Sequence, residues 1–186
     1  MTRCLRCHGH AEYQWDDHEY RSESGLDSVL LTNCLFLHCR TCGEHSPVLP
    51  NALTLTTLIL ESLVVQPPGL PGTAIRFMRK ALRLTAQTLA ERIGTTREEV
   101  SRWENDRVAI SPHFELKLRL EVIDGLFSHR PVLRQNVVAA MTATNDAKGA
   151  SRQVIIDASP HYPPHVLPLP EEKPISANRA RVEIEH

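Results

Sequence analysis

The chain has 186 residues, of which 41% are hydrophobic and 5% aromatic, and its formal net charge is −1. This length allows one or two small domains with mainly aliphatic cores, and the overall charge does not indicate a nucleic-acid partner. No apolar run reaches the roughly 20 residues needed to cross a bilayer, and MTRCLRCHGH lacks the apolar core of a signal peptide, so we expect a cytoplasmic protein with no membrane contact.

Two Cys-x-x-Cys motifs, Cys4 with Cys7 and Cys39 with Cys42, lie near the start of the chain. Each motif presents two thiolates on a tight turn, and two such turns complete a tetrahedral zinc site. Cysteines in a cytoplasmic protein favour metal binding over disulfides. The motifs therefore predict one structural Zn²⁺ held by these four residues, which leaves no open position for chemistry.

Two other uses of the cysteines stay open at this point. The pairs could act as redox dithiols, although no thioredoxin-like βαβ pattern surrounds them. Catalytic zinc would need a histidine in place of one thiolate. The fifth cysteine, Cys34, is expected to be a buried small hydrophobe. Gly43 and Gly9 are expected to form the turns behind the two motifs. The histidines near enough in sequence to replace a thiolate are His8, His10, His38 and His45.

The residues between and after the motifs predict a small β-rich domain over 1–66. AEYQW and VLLTNCLFLHC have the composition of strands, and Pro50 to Val65 has that of a helix. Three prolines and two glycines in Gln66 to Gly72 cannot continue a helix, so residues 67–72 are predicted to be a linker.

Residues 73–129 predict a helical domain that contains a helix-turn-helix. A first helix runs from about Thr73 to Leu82, with its apolar residues at helical spacing. The second begins after Thr85 and ends at Gly94, and the third begins after Thr96, with Glu99 placed for a capping box. Leu89, Ile93, Val100 and Trp103 are predicted to face the core, and Arg76, Arg79, Lys80 and Arg83 to lie outside it.

The third helix carries the predicted DNA contacts. Arginine suits guanine or phosphate, and glutamate can accept a hydrogen bond from cytosine N4. Residues 73–107 hold eight Lys plus Arg against five acidic residues, which suits a phosphate-facing surface. The residues predicted to meet DNA are Arg97, Glu98, Ser101 and Arg102.

The remaining chain is predicted to be less regular. Ser111 and Pro112 are expected to start a helix that runs to about Phe127. Residues 130–186 are expected to form a mostly extended or disordered proline-rich tail, with one strand at Val154 to Ile156. The predicted fold is therefore α+β: a zinc-bound β-rich domain, a five-helix-type helical domain and an irregular tail.

Residues 75–120 resemble the Cro/cI-repressor (xenobiotic-response-element) helix-turn-helix. In that family the start of the third helix reads the major groove, which implies contacts by Arg97, Glu98, Ser101 and Arg102. The chain departs from the family at Ala86, where a glutamine usually contacts phosphate, and Gln87 stands one position late. The matching residues are Ile75-Arg76, Arg79, Leu82, Leu84-Thr85, Leu89-Ala90, Gly94, Val100 and Ser101 to Asn105.

The order of parts over residues 1–129 is similar to MqsA-type antitoxins and the wider YgiT-type zinc-finger family. That resemblance implies an N-terminal zinc domain that binds a toxin, a helix-turn-helix that binds a palindromic operator as a homodimer, and repression of the operon. It also implies that Cys4, Cys7, Cys39 and Cys42 ligate the zinc. The 57 residues after the last expected helix exceed the family's usual tail.

These features predict a sequence-specific DNA-binding repressor, with the antitoxin of a type II toxin–antitoxin pair as its most specific form. The alternatives are a stand-alone zinc-finger regulator and a protein-interaction module that does not bind DNA. An enzyme is not expected, because the sequence offers no nucleophile–base arrangement, phosphate loop or paired acids.

Overall fold

The computed structural model describes residues 2–142 and 153–162. Within these ranges the N-terminal third forms an antiparallel sheet with one added parallel strand, and the chain then becomes helical. The predicted α+β class is confirmed. One continuous apolar core runs from the sheet through the helices, and a second small cluster surrounds Cys4, Ala11 and Cys39.

Five strands form a single sheet among the described residues. β1, β2, β3 and β4 follow one another with antiparallel pairing, whereas β5 pairs in parallel with β3. The two segments predicted as strands lie in β2 and β3, and VLLTNCLFLHC coincides with β3. The strands are β1 Thr2–Arg3, β2 His10–Glu19, β3 Val29–Cys39, β4 His45–Val48 and β5 Val154–Asp157.

The strand β3 is the centre of the sheet because it is apolar and β-forming along most of its length. Leu31, Cys34 and Leu35 are fully buried in it. The expectation that Cys34 packs as a small buried hydrophobe is confirmed: its pKa is raised by burial, and it is a free thiol.

The described residues contain seven α-helices. The second begins where the side-chain oxygen of Asn51 accepts hydrogen bonds from the amides of Leu53 and Thr54. Among the described residues no helix is both long and apolar enough to cross a membrane. The helices are α1 Arg21–Ser24, α2 Ala52–Val64, α3 Gly72–Ala81, α4 Ala86–Ile93, α5 Arg97–Glu104, α6 Pro112–Leu126 and α7 Pro131–Thr142, with a short 3-10 turn at Ser159–His161.

The proline-rich connection between α2 and α3 is held by a buried ion pair from α6. Arg119, which is fully buried, donates to the carbonyls of Val64 and Pro67 at 2.8 and 3.1 Å and to that of Gln66. Its partner Glu115 accepts from Arg119 and from the Gly69 amide. Burial lowers the pKa of Arg119, although Glu115 opposes that shift. The backbone of the connection is therefore pinned to the helical domain.

The expectation of irregular chain directly after Arg130 is wrong for residues 131–142, which form α7. The reason is an apolar stripe at intervals of four: Leu133 and Met141 pack against the core on either side of Val137, which is fully buried. α7 packs against α6. Such a stripe is the ordinary sign of an amphipathic helix, and it was present in the sequence.

The single strand expected at Val154 to Ile156 is confirmed as β5. The pairing brings Val154 opposite Val29 and Asp157 opposite Thr32, so a segment far along the chain joins the N-terminal sheet. The proline-rich stretch from residue 163 onward, expected to be extended or disordered, lies outside the described residues.

Candidate functional site

The two Cys-x-x-Cys motifs form the turns of two β-hairpins at one end of the sheet. The first motif connects β1 to β2, and the second connects β3 to β4. The pairing of β2 with β3 places Ala11 opposite Cys39, so the two turns lie side by side. The sheet thereby brings together cysteines that are more than thirty residues apart in sequence.

The two turns have the same pattern of backbone hydrogen bonds. The amide of the first cysteine donates to the carbonyl five residues later, from Cys4 to Gly9 and from Cys39 to Glu44. The amide four residues after each first cysteine donates back to its carbonyl, from His8 to Cys4 and from Gly43 to Cys39. Two copies of one local structure therefore supply the four thiols.

The prediction that Gly43 forms the turn behind its motif is confirmed, but the same prediction for Gly9 is wrong. The left-handed position of the second turn is Gly43, with φ of 71°, but that of the first is His8, with φ of 59°. Gly9 is needed for space, because a Cβ there would lie 2.9 Å from the Cβ of Thr41 in the other turn. Gly9 thus lets the two turns approach each other.

The four sulfurs form a compact cluster. The Cys4 and Cys42 sulfurs lie 3.7 Å apart, those of Cys7 and Cys39 lie 3.5 Å apart, and all four lie within 4.8 Å of one another. A tetrahedron with metal–sulfur bonds of about 2.3 Å has sulfur–sulfur edges of about 3.8 Å, so the cluster fits a four-thiolate metal ion.

The backbone also favours thiolates in this cluster. Amides of Arg6 and Gly9 approach the sulfurs of Cys4 and Cys7 at 3.4 Å. The Cys42 and Thr41 amides lower the pKa of Cys39 to about 6, against a smaller opposing effect of burial.

The pKa of Cys42 moves the opposite way. A hydrogen bond from the Glu44 amide lowers this pKa, but burial and the three neighbouring thiols have a larger combined effect in the opposite direction. The net result raises the pKa of Cys42 to about 12. Four negative charges so close together oppose one another, and a bound cation relieves that repulsion.

Within the described part of the chain the candidate metal cluster consists of the four cysteines alone. His38 and His45 instead face each other across β3 and β4, with ring centroids 5.7 Å apart. The ring of His45 also stacks on Phe36 at 4.4 Å, and His8 and His10 are exposed. The candidate ligand set is therefore all-sulfur, and a metal ion held by it would have a closed site without the histidine ligand that the catalytic-zinc alternative needs.

The second candidate site is the turn between α4 and α5. Gly94 ends α4 in the left-handed conformation, with φ of 76°, and both its amide and that of Thr95 donate to the carbonyl of Ala90 at 2.9 Å. These hydrogen bonds cap the C-terminus of α4, and α5 begins three residues after Gly94. The predicted role of Gly94 is confirmed.

The helix caps agree with the sequence except in two details. The hydroxyls of Thr85 and Thr96 accept from the amides of Thr88 and Glu99, as expected for N-caps. The Glu99 carboxylate does not complete the expected capping box, because it accepts from the Thr95 hydroxyl instead. Ser111 occupies the N-cap position of α6 without a side-chain hydrogen bond, and Pro112 starts that helix.

The buried side of α5 anchors this helix to α3. Val100 and Trp103 lie in the core, as predicted, and Glu104 beside them is only 7% exposed. Arg79 of α3 binds the Glu104 carboxylate through two nitrogens, at 2.5 and 2.9 Å, and also donates to the Leu84 carbonyl. The hydrogen bond to Glu104 raises the pKa of Arg79. This pair fixes the orientation of α5 relative to α3.

Two of the four basic residues expected outside the core therefore have structural partners. Arg79 binds Glu104, and Arg76 donates to the Glu104 carbonyl and the Asn105 side chain at 2.9 Å. Lys80 and Arg83 are exposed, as expected. Arg79 and Glu104 each stand next to a predicted core position in the sequence, which is the one local sign of their burial. Because they are 25 residues apart, the sequence does not show that they contact each other.

A close contact that sequence reasoning missed also sets α3 against α5. A Cβ at Gly72 would lie 2.8 Å from the carbonyl carbon and oxygen of Glu104. The amide of Gly72 donates to the Asp106 carboxylate at 2.6 Å. Gly72, which the sequence placed at the end of the linker, is the first residue of α3. A side chain at this position would collide with the end of α5.

The outer side of α5 holds all four residues predicted to meet DNA. Arg97, Glu98, Ser101 and Arg102 are exposed, and among the described contacts none of their side chains has an ion-pair or hydrogen-bond partner. A helix that is anchored on one side and free on the other can enter a major groove. At the start of α4, Ala86 is half-buried and Gln87 is exposed and donates to Glu91 at 2.7 Å.

Comparison with known proteins identifies one part of the chain. Residues 75–114 match a family described as helix-turn-helix, of the Cro/cI type, whose members are DNA-binding regulatory domains. No curated protein and no solved structure matches the chain. The match covers most of α3, all of α4 and α5 and the first residues of α6, and it leaves the sheet with its four cysteines outside it.

Proposed function

We propose that this protein is a sequence-specific DNA-binding transcriptional repressor that reads a palindromic operator as a homodimer. The observation that carries the proposal is α5, which is fixed to α3 by the Arg79–Glu104 pair and leaves Arg97, Glu98, Ser101 and Arg102 exposed. A helix positioned in this way reads base edges without reorganising on binding.

Each residue of the exposed side has a chemical role in this proposal. Arg97 and Arg102 can form two hydrogen bonds with guanine or bind phosphate, and Glu98 can accept from cytosine N4. Ser101 lies between the arginines and can meet either kind of base edge. Two copies would place their α5 helices about 34 Å apart, in successive major grooves.

We also propose that Cys4, Cys7, Cys39 and Cys42 hold one structural Zn²⁺. The all-sulfur set and the sulfur separations support this assignment, because a closed tetrahedral site suits zinc. The ion would stabilise the two turns and the sheet between them and would take no part in a reaction.

In its most specific form, the proposal makes this chain the antitoxin of a type II toxin–antitoxin pair. The order of a four-cysteine domain, a helix and a helix-turn-helix supports it, with the N-terminal domain as the site of toxin binding. The neighbouring reading frame tests it. Growth arrest by that frame, relieved by this chain, is expected, whereas the absence of arrest leaves a stand-alone regulator.

The DNA-binding proposal can be tested without knowledge of the operator. Zinc-loaded full-length protein is incubated with random duplex DNA, and bound duplexes are amplified over several rounds. We expect enrichment of a two-fold symmetric sequence with half-sites about 10 base pairs apart. Recovery of DNA with no common sequence would contradict base reading by α5.

A further inference from the structure

The turn after α5 contains an aspartate at a position where glycine would suit the backbone better. Asp106 has a φ of 51°, in the left-handed region that few residues other than glycine, asparagine and aspartate adopt. Its amide donates to the Trp103 carbonyl at 3.0 Å, and the next amide, of Arg107, donates to the Arg102 carbonyl at 2.9 Å. Helices that end with such hydrogen bonds usually have glycine at the left-handed position. The backbone alone therefore does not explain why an aspartate stands there.

The Asp106 carboxylate has a specific partner at the start of another helix. It accepts from the amide of Gly72, the first residue of α3, at 2.6 Å. The residue before Gly72 is Pro71, which makes no side-chain cap hydrogen bond to α3. The first amides of a helix have no acceptor within that helix. Asp106, 34 residues further along the chain, thus supplies a cap that α3 does not obtain from its own N-cap residue.

The two residues before Asp106 also bind α3. Arg76 donates to the Glu104 carbonyl and to the Asn105 side chain, both at 2.9 Å. Arg79 binds the Glu104 carboxylate. Three successive residues at the end of α5 are therefore attached to α3, and the bond from Gly72 to Asp106 is the last of these attachments.

Hydrogen bonds connect this end of α5 to two of the residues proposed to meet DNA. The Asn105 side chain donates to the Ser101 carbonyl at 2.7 Å, and the Arg107 amide donates to the Arg102 carbonyl. Both Ser101 and Arg102 are exposed. Because hydrogen bonds weaken steeply as their angles depart from linear, a small rotation at the end of α5 would weaken a base contact made by Arg102.

We propose that Asp106 is a positioning residue for DNA reading, which holds the end of α5 against α3 in the orientation that directs Arg102 and Ser101 at base edges. This inference rests on the proposed function of α5. Replacement of Asp106 by glycine loses the cap on α3 but relieves the backbone, and these two effects on the free energy of unfolding oppose each other. The variant should therefore lose discrimination between DNA sequences while it stays folded.

Two substitutions separate the hydrogen bond from the charge. Asp106→Asn keeps a side-chain oxygen that can accept from the Gly72 amide, and asparagine tolerates the left-handed backbone. Asp106→Gly keeps only the backbone. Each full-length, zinc-loaded protein is titrated with the duplex selected by the wild type and with a scrambled duplex of equal length. The ratio of the two affinities is the measured quantity, because a general change of charge affects both duplexes alike.

We expect this ratio to fall at least about tenfold in Asp106→Gly, which corresponds to the loss of one two-bond base contact, and to stay within about twofold of the wild type in Asp106→Asn. Amide exchange at Gly72 tests the cap without DNA. It should be faster in Asp106→Gly and unchanged in Asp106→Asn. Equal exchange in the wild type and Asp106→Gly would show that the cap is absent, whether or not the protein reads DNA.

The outcomes separate this inference from the proposed function. A wild type that does not distinguish the two duplexes contradicts DNA reading by α5, and the positioning role fails with it. If the wild type distinguishes them, an unchanged ratio in Asp106→Gly overturns the positioning role alone, as does an equally low ratio in Asp106→Asn. Melting of Asp106→Gly below the assay temperature also overturns it, because Asp106 would then be needed for folding. Selection of a different sequence by Asp106→Asn would show instead that Asp106 touches a base.

Discussion

The end of the sheet that holds the four cysteines and the helix-turn-helix differ in how many apolar side chains stabilise them. Around the cysteines, the small core consists of Cys4, Ala11 and Cys39 with Leu37 packed against it, so few apolar side chains contribute. The helix-turn-helix instead has a larger apolar core and the part-buried ion pair between Arg79 and Glu104. On the zinc assignment proposed above, the first region depends on its bound metal and the second on its packing, so changes in each should have separate effects.

Removal of the metal should produce the largest effect, and it should be confined to the sheet end. Cys39→Ser deletes a buried ligand, and structural zinc in small domains contributes on the order of 10 kcal/mol, so the two turns should unfold. Metal analysis and amide exchange of residues 2–48 would measure this. Cys34→Ala, on the same strand outside the cluster, should keep one zinc per chain. A Cys39→Ser protein that retains one zinc contradicts the ligand assignment.

Breaking the buried pair should destabilise the helical region while the metal stays bound. Glu104→Ala leaves the Arg79 guanidinium, whose side chain is 15% exposed, without its carboxylate. Loss of one partner of a fully buried pair costs about 3–5 kcal/mol, so this part-buried pair should cost less than that but more than about 1 kcal/mol. Denaturant unfolding measures the loss. The control is Glu121→Ala, which removes the more exposed Arg92–Glu121 pair and should cost less than about 1 kcal/mol. Equal losses in the two variants would show that the buried pair does not anchor α5.

Changes on the exposed side of α5 should affect DNA and not folding. Arg102→Ala should weaken binding to the selected duplex by about 1–3 kcal/mol if Arg102 makes two hydrogen bonds with a base, and Arg97→Ala should do the same. Fluorescence anisotropy measures the affinity, and Arg92→Ala, an exposed arginine of α4, serves as the control for lost charge. Unchanged affinity in both variants would remove the base-reading assignment.

The smallest expected effect is the loss of a helix cap in the helix-turn-helix. Thr85→Ala removes the hydroxyl that accepts from the Thr88 amide at 3.1 Å, and a lost N-cap costs about 1 kcal/mol. Thermal unfolding should show a modest fall in melting temperature with the zinc content unchanged. Ser111→Ala is the matched control, because Ser111 occupies an N-cap position without a side-chain bond. A larger loss at Ser111 than at Thr85 would contradict these cap assignments.

Much of the local structure could be predicted because it is encoded by short patterns. Gly94 and Thr96 mark the ends of helices by their own backbone preferences, and β3 is apolar along its length. The exposed side of α5 followed from the position of Val100 and Trp103 in the same helix. Each of these inferences depends on residues within one or two turns of one another.

The contacts that were missed join residues far apart in sequence. Arg79 and Glu104, Arg119 and the backbone around Gln66, and Tyr162 and Leu35 meet only after the chain has folded. Charged residues within predicted helices read as exposed unless their partners are known, so Arg119 gave no sign of its burial. The helix α7 is different, because its apolar residues stand at helical spacing in the sequence, and the prediction of irregular structure there did not take that spacing into account.

The most direct test of DNA reading by α5 is the salt dependence of binding to the selected palindrome and to a scrambled duplex of equal length. We predict that the wild type binds the palindrome at least about 10³-fold more tightly than the scrambled duplex at physiological salt. Binding to both should weaken steeply as salt rises, because phosphate contacts release counterions. Equal affinity for the two duplexes, or affinity independent of salt, would contradict the assignment of this protein as a sequence-specific DNA-binding repressor.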